Sequence, residues 1–185
     1  MNPLKFPFEF AQFAGHLKFV KRAGWLRFAK IKSVESVCDH SYRMSLLSCL
    51  CLQDFNVDLA KCLRMSLVHD LAESVVGDIT PYDGVPKEEK QKKEEEAMTQ
   101  ISLTLNKEMG ELLINLWKEY EDGVSMEAQV VKDLDKYEML LQAYEYEMKY
   151  GEDLGEFFDS VKMIKHPRIR EWANELIGKR GKVEK

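Results

Sequence analysis

Two neighbouring stretches of this chain, His40 to Phe55 and Asp58 to Val76, carry apolar residues so densely that a helix built from either has no continuous polar stripe. Helices of that kind are covered on nearly all sides. The 10 glycines and 5 prolines fall in clusters, not at the regular spacing of an all-β chain, which makes the expected class all-α. Asp58 is a candidate N-cap and Gly77 a stop. Gly77 to Pro86 holds two prolines and two glycines and reads as a loop. Helical patterning resumes over Lys87–Leu105, Met109–Tyr120 and Ser125–Tyr150, with Glu121-Asp-Gly123 as a break and Ser125 as a cap. Two shorter helices are expected near Leu154–Ile164 and Pro167–Ile177, before a frayed Lys179–Lys185 tail. The expectation is one domain over 1–185, a compact bundle of about six to eight helices. Its motif-bearing core would span about 15–150, followed by C-terminal helices over 151–178 and the tail at 179–185.

Charge narrows the partners. With 27 Lys+Arg against 32 Asp+Glu the net charge is -5, which argues against binding a nucleic-acid polymer or an anionic membrane through bulk electrostatics. One basic zone exists, Phe10 to Val34, with Lys18, Lys21, Arg22, Arg27, Lys30 and Lys32 and no acid; a solvated helix face is its simplest explanation. No apolar run is long enough to span a membrane, and charges interrupt the first 25 residues, so a cytoplasmic protein is expected. Cys38, Cys49, Cys51 and Cys62 form no C-x-x-C pair and read as buried free thiols.

The polar residues inside the apolar stretches carry the chemical information, because an unpaired buried charge costs several kcal/mol. His69-Asp70 sits near the end of the second stretch. A hydrogen-bonded core histidine beside a helix-terminal aspartate would account for the pair alone. His40 in the preceding helix could reach it, Glu73 follows four residues later, and Asp78 lies just past Gly77. The long helix adds Asp133 and Asp135; the apolar stripe Val130, Leu134, Tyr137, Leu141, Tyr144 and Met148 centres closer to Asp133. Two histidines and two aspartates with open positions suit Mn, Co, Fe, Ni or Zn better than Ca.

His40…His69-Asp70…Asp135 resembles the H…HD…D signature of the HD-domain metal-dependent phosphohydrolases. The strings Glu35-Ser-Val-Cys-Asp-His40, His69-Asp-Leu-Ala-Glu-Ser-Val-Val-Gly-Asp78, Pro86-Lys-Glu-Glu-Lys90 and Leu134-Asp-Lys-Tyr-Glu138 are similar to its 5'-deoxynucleotidase branch. The resemblance implies one divalent metal on His40, His69, Asp70 and Asp135, which selects Asp135 over Asp133. It implies Glu73 as the catalytic acid/base or water-positioning carboxylate and Asp78 at the sugar and scissile phosphate. Arg22 and Trp25 would match a basic-plus-Trp element that holds phosphate and senses the absent 2'-hydroxyl. A homodimer is also implied, with a surplus of apolar residues on the long helix as the expected interface.

The expected activity is therefore metal-dependent hydrolysis of a small nucleoside 5'-monophosphate, deoxy forms preferred. An HD-type phosphohydrolase acting on a cyclic, triphosphate or polyphosphorylated nucleotide is the rival enzyme. A non-catalytic metal-binding helical interaction module is the rival outside enzymology, and the presence of Glu73 and Asp78 beside a metal set argues against it. His16, His166, Trp117, Trp172 and the scattered methionines read as surface or packing residues.

Overall fold

The computed structural model describes residues 8–51 and 55–180, and among them the fold is all-α. The helices are α1 (Phe8–His16), α2 (Ala23–Leu26), α3 (Val37–Ser48), α4 (Leu59–Val68), α5 (Glu73–Val76), α6 (Lys87–Ser102), α7 (Lys107–Asp122), α8 (Met126–Tyr150), α9 (Gly155–Phe158) and α10 (Pro167–Arg180). Three of them are single turns, and seven of the described helices have nine residues or more. An isolated bridge between Lys21 and Ser36 ties the segment bearing α2 to the start of α3.

Side-chain caps set many of the boundaries. Asp58, Asn106 and Ser125 accept the backbone N–H three residues on, which satisfies donors that the first helical turn leaves free. Ser36 and Asp39 form a reciprocal capping box that starts α3 three residues ahead of the expected His40. Gly123 and Gly151 close α7 and α8 in the left-handed region.

The helix α8 is the axis of the bundle, packed by α3, α4, α7 and α10. That accounts for most of its apolar surplus, which is covered from within the chain, while Met126 and Met148 stay exposed near its two ends. Two cores result. One gathers Met44, Cys62, Met65, Leu134, Leu140, Ile164 and Ile169 around α8; the other gathers Val68, Leu71, Met98, Ile101, Leu113 and Trp117 around α6 and α7. Helix α4 contributes Met65 to the first and Val68 to the second, so its C-terminal end lies on the seam between them.

The single helix expected over Asp58–Val76 is broken at that seam. It stops at Val68, and residues 69–72 tighten into i→i+3 hydrogen bonds, Leu71 N–H to Val68 O and Glu73 N–H to Asp70 O. Apolar density registers burial but not this change of winding. The helix expected over His40–Phe55 likewise ends early, at Ser48, followed by a 3-10 turn at Cys49–Cys51; residues 52–54 lie outside the described residues. Cys51 and Cys62 are buried free thiols as expected, but Cys38 is half-buried at the edge of the second core and Cys49 is exposed. Helix α10 runs on to Arg180, past the expected start of the tail, and 181–185 lie outside the described residues.

Candidate active site

The His69-Asp70 turn, the first turns of α3 and the middle of α8 meet at the floor of a cleft of about 470 Å³. The rings of His40 and His69 stand 5.5 Å apart. His69 Nδ1 lies 2.9 Å from Ser66 O, an interaction the tightened turn makes possible, and this leaves Nε2 facing inward. Asp70 Oδ2 is 3.1 Å from His69 Nε2 and 3.9 Å from His40 Nε2; Asp135 Oδ1 is 3.3 Å from His40 Nε2. Both Nε2 atoms are buried and neither makes a hydrogen bond.

That geometry answers whether a cation fits. Donor atoms of His40, His69 and Asp135 lie within 4.8 Å of one another, with Asp70 beside them. Two imidazole nitrogens turned inward and two carboxylates are a mixed N/O donor set of the type that divalent transition metals and Zn select. The charges are poised accordingly. Burial alone would raise the Asp70 carboxyl, yet His69 and Arg22 hold it well below the ordinary range; against burial, His40 does the same for Asp135. Burial would lower His40, but Asp135 and Glu138 push it up to about 9.

Glu73 opens α5 and is buried, with Oε2 unpartnered. Burial first, then the neighbouring charges of Asp70 and Asp78, raise its carboxyl well above the usual value. A buried carboxyl perturbed in this direction, facing the cleft, is suited to proton transfer. Asp78 follows Gly77, whose φ of 77° is one that residues with a Cβ rarely adopt, and Asp78 Oδ2 accepts the Ala23 N–H at 2.7 Å. The loop is thereby tied to α2. Arg22 NH1 reaches Asp70 Oδ2 at 3.3 Å, so Arg22 stands at the site. Trp25 lines the cleft but is only 2% exposed, packed against Tyr146 and Phe157, with Nε1 donating to Glu35 at 2.9 Å. It is a wall, not a free stacking platform.

Residues 14–177 match the HD domain family. The chain belongs to the HD domain family. It is 44% identical over 176 residues to the human protein named 5'-deoxynucleotidase HDDC2, covering 93% of this chain and 85% of that one. To 5'-deoxynucleotidase hdd1 of Schizosaccharomyces pombe it is 43% identical over 170 residues, covering 89% and 85%. A conserved hypothetical protein from Pyrococcus furiosus has the same fold, with a TM-score of 0.77 at 30% identity, covering 91% of this chain and 98% of that one.

Within this HD domain, all eight residues singled out from sequence border one cleft or its floor. Asp133, which the apolar stripe favoured, faces elsewhere: its Oδ2 accepts the backbone N–H groups of Lys165 and His166 at 2.8 and 2.7 Å. Trp117 is core, as expected, and Trp172 packs on the core. Four participants were missed. Glu138 holds His40 Nδ1 and is itself held by Arg43; Tyr120 donates its hydroxyl to Asp135 at 3.1 Å; Lys90 donates to Ile79 O at 2.9 Å, anchoring the Asp78 loop to α6. For Glu138 a signal existed, since it follows Asp135 by three residues and so shares its helix face. Glu138 also belongs to a second group of possible donors with Glu35 and His40, but Nδ1 of His40 is already occupied by Glu138 and Oε1 of Glu35 by Trp25, so that group braces the first.

Proposed function

We propose that this protein hydrolyses deoxyribonucleoside 5'-monophosphates to nucleoside and phosphate, with one divalent ion held by His40, His69, Asp70 and Asp135. The observation that carries the reading is the pair of buried, unbonded Nε2 atoms facing two carboxylates on the floor of a nucleotide-sized cleft. The activity for which the human and fission-yeast relatives are named supports the substrate class. When bound, such an ion supplies Lewis-acid polarisation of the phosphoryl group and makes water a nucleophile near neutral pH.

The chain's own groups do the rest. Water attacks phosphorus, the bond from phosphorus to the 5' oxygen breaks, and Glu73 takes the water proton and returns it to the leaving oxygen, so that nucleoside and phosphate are the balanced products. Asp78, fixed through Ala23, faces the sugar and scissile phosphate. Arg22 sets the orientation of Asp70 and adds positive charge for phosphate, and the immobile Trp25 wall limits room at the sugar edge, disfavouring a 2'-hydroxyl. Phosphate release from dAMP, AMP and 3'-dAMP, with Mn or Co and with chelator, tests this. The expected order is dAMP ahead of AMP by tens to a few hundred in kcat/KM, roughly the range that shape discrimination gives. Equal rates would remove the deoxy preference; hydrolysis confined to cyclic, tri- or polyphosphorylated nucleotides, or no hydrolysis with metal bound, would overturn the substrate or the enzyme reading.

The same proposal includes a homodimer and a reducing, cytoplasmic setting. Exposed Tyr42, Leu46, Leu67, Met109 and Leu112 flank an apolar groove between α1, α3, α4 and α7, and a surface of this kind supports self-association. Free thiols at all four cysteines, and no described helix long and apolar enough to cross a membrane, are compatible with that setting. Light scattering on the purified protein reads the mass directly.

A further inference from the structure

The cleft is lined by four cations, Arg22, Lys87, Lys90 and Lys132, and they differ in what neutralises them. Arg22 reaches Asp70. Lys90 donates to Ile79 O and lies 3.6 Å from Glu94. Lys87 is exposed. Lys132 is half-buried and, among the described residues, has no carboxylate within salt-bridge distance and no hydrogen-bond acceptor. Its ammonium lies 4.1 Å from the centroid of the Tyr120 ring. Its stem runs over the turn between α7 and α8, where a Cβ on Gly123 would meet Lys132 Cε at 3.0 Å; the glycine leaves the lysine its path. A side chain at this position, where φ is 63°, would be strained and would crowd the stem, so the turn and the Tyr120 ring together bound the path of the lysine.

Tyr120 connects this cation to the metal-ligand set. Its hydroxyl donates to Asp135, and its ring centroid is 5.0 Å from that of His69. Lys132 therefore shares one aromatic ring with two of the proposed ligands, and among the described residues no carboxylate comes within salt-bridge distance of it. Partial burial of the side chain lowers the Lys132 pKa, and Glu121 and Asp135 oppose this only from beyond salt-bridge distance. A ring face compensates only in part. A doubly charged phosphoryl group arriving at the cleft floor would compensate fully, and a lysine is well suited to bind it as a mobile point charge.

We infer that Lys132 is a substrate-binding residue whose ammonium contacts the phosphoryl group of the bound phosphomonoester, with Tyr120 and Gly123 as its positioning residues. This rests on the phosphomonoesterase reading above. Lys132→Met keeps the stem and removes the charge; Lys132→Arg keeps the charge. On the metal-loaded protein, inorganic phosphate binding is measured by calorimetry, and KM and kcat for dAMP and inhibition by deoxyadenosine are measured alongside. For Lys132→Met the expected result is a loss of about tenfold to a hundredfold in phosphate affinity. A parallel rise in KM, a smaller change in kcat, unchanged deoxyadenosine inhibition and partial recovery in Lys132→Arg are also expected. Phosphate affinity within twofold of the unmodified protein would overturn the inference, as would equal weakening of phosphate and deoxyadenosine. If the unmodified protein fails to hydrolyse dAMP, the function falls, but the calorimetric comparison still decides whether Lys132 binds phosphate.

Discussion

Glu138 Oε2 lies 2.5 Å from His40 Nδ1, and both side chains are wholly buried. Against its own desolvation, Glu138 is kept ionised by His40 and Arg43, and Arg43 is in turn bonded to Gln142 and Glu145 at 2.7 Å each. The chain from α8 to α3 thus fixes which imidazole nitrogen faces Asp135. Removing this kind of outer support typically lowers metal affinity about 10- to 100-fold. Glu138→Gln is expected to lose that much in a chelator competition while retaining its helical circular dichroism. Affinity within twofold of the unmodified protein would make the pair a packing feature only.

Glu73 is the next test, because its carboxyl is buried, unbonded at Oε2 and outside the proposed ligand set. Glu73→Gln keeps the shape and removes proton transfer. Metal content and dAMP binding are expected to persist while kcat falls by about a hundred- to ten-thousand-fold. A loss under threefold would reduce Glu73 to a structural role.

Asp133 and Asp135 separate structural from chemical burial. Asp133 is 3% exposed and serves the backbone ahead of α10, whereas Asp135 looks into the cleft. Asp135→Ala is expected to lose metal by elemental analysis. Asp133→Ala is expected to keep metal but lose about 1–3 kcal/mol of stability in urea, since two part-buried backbone N–H donors lose a charged acceptor. Metal loss in Asp133→Ala alone would reverse the assignment.

That pair also shows what the sequence could reveal. Helical class, the Asp58 and Ser125 caps and the Gly123 break follow from local chemistry that acts on neighbouring residues, and all are present. The wheel pointed to Asp133 because periodicity measures distance from solvent, and a cleft-facing ligand such as Asp135 is by nature less enclosed than a capping residue. The His69–Ala72 turn was hidden for a related reason: α-helical and 3-10 winding bury the same apolar residues, and only the seam between two cores decides between them. Tyr120 acts across a distance of chain that no local pattern encodes, and the string Pro86 to Lys90 stood out without revealing the contact that Lys90 makes to Ile79.

Glu94 gives the cleft a pH dependence. Burial pushes its carboxyl up to about 7, with Glu121 and Asp70 adding to the effect and Lys90 opposing it. The folded chain holds this proton more tightly than an unfolded carboxyl of pKa about 4.3. The stabilisation is present in full below that value and is lost as pH rises through about 7. Glu94→Gln is expected to flatten the fall in thermal midpoint between pH 5 and 7.5 in chelator-treated protein. An unchanged slope would show that Glu94 ionises freely.

Helices α6 and α7 both line the cleft, α6 through Lys90 and Glu94 and α7 through Tyr120. The two helices touch at Gly110, where an added Cβ would stand 2.8 Å from the Ser102 carbonyl oxygen and 3.3 Å from Ser102 Cβ. Alanine in a helix is intrinsically better than glycine by up to about 1 kcal/mol. Here the obstacle is backbone, which cannot swing aside as a side-chain tip does, and overpacking of this type costs about 1–3 kcal/mol. The steric cost is expected to win: Gly110→Ala should lower the thermal midpoint by roughly 2–4 °C per kcal/mol for a chain of this size. Because the displaced end of α6 leads back to the cleft, KM for dAMP should also rise while metal content stays constant. A raised midpoint with unchanged KM would mean that the helices part without strain and that Gly110 has no part in shaping the site.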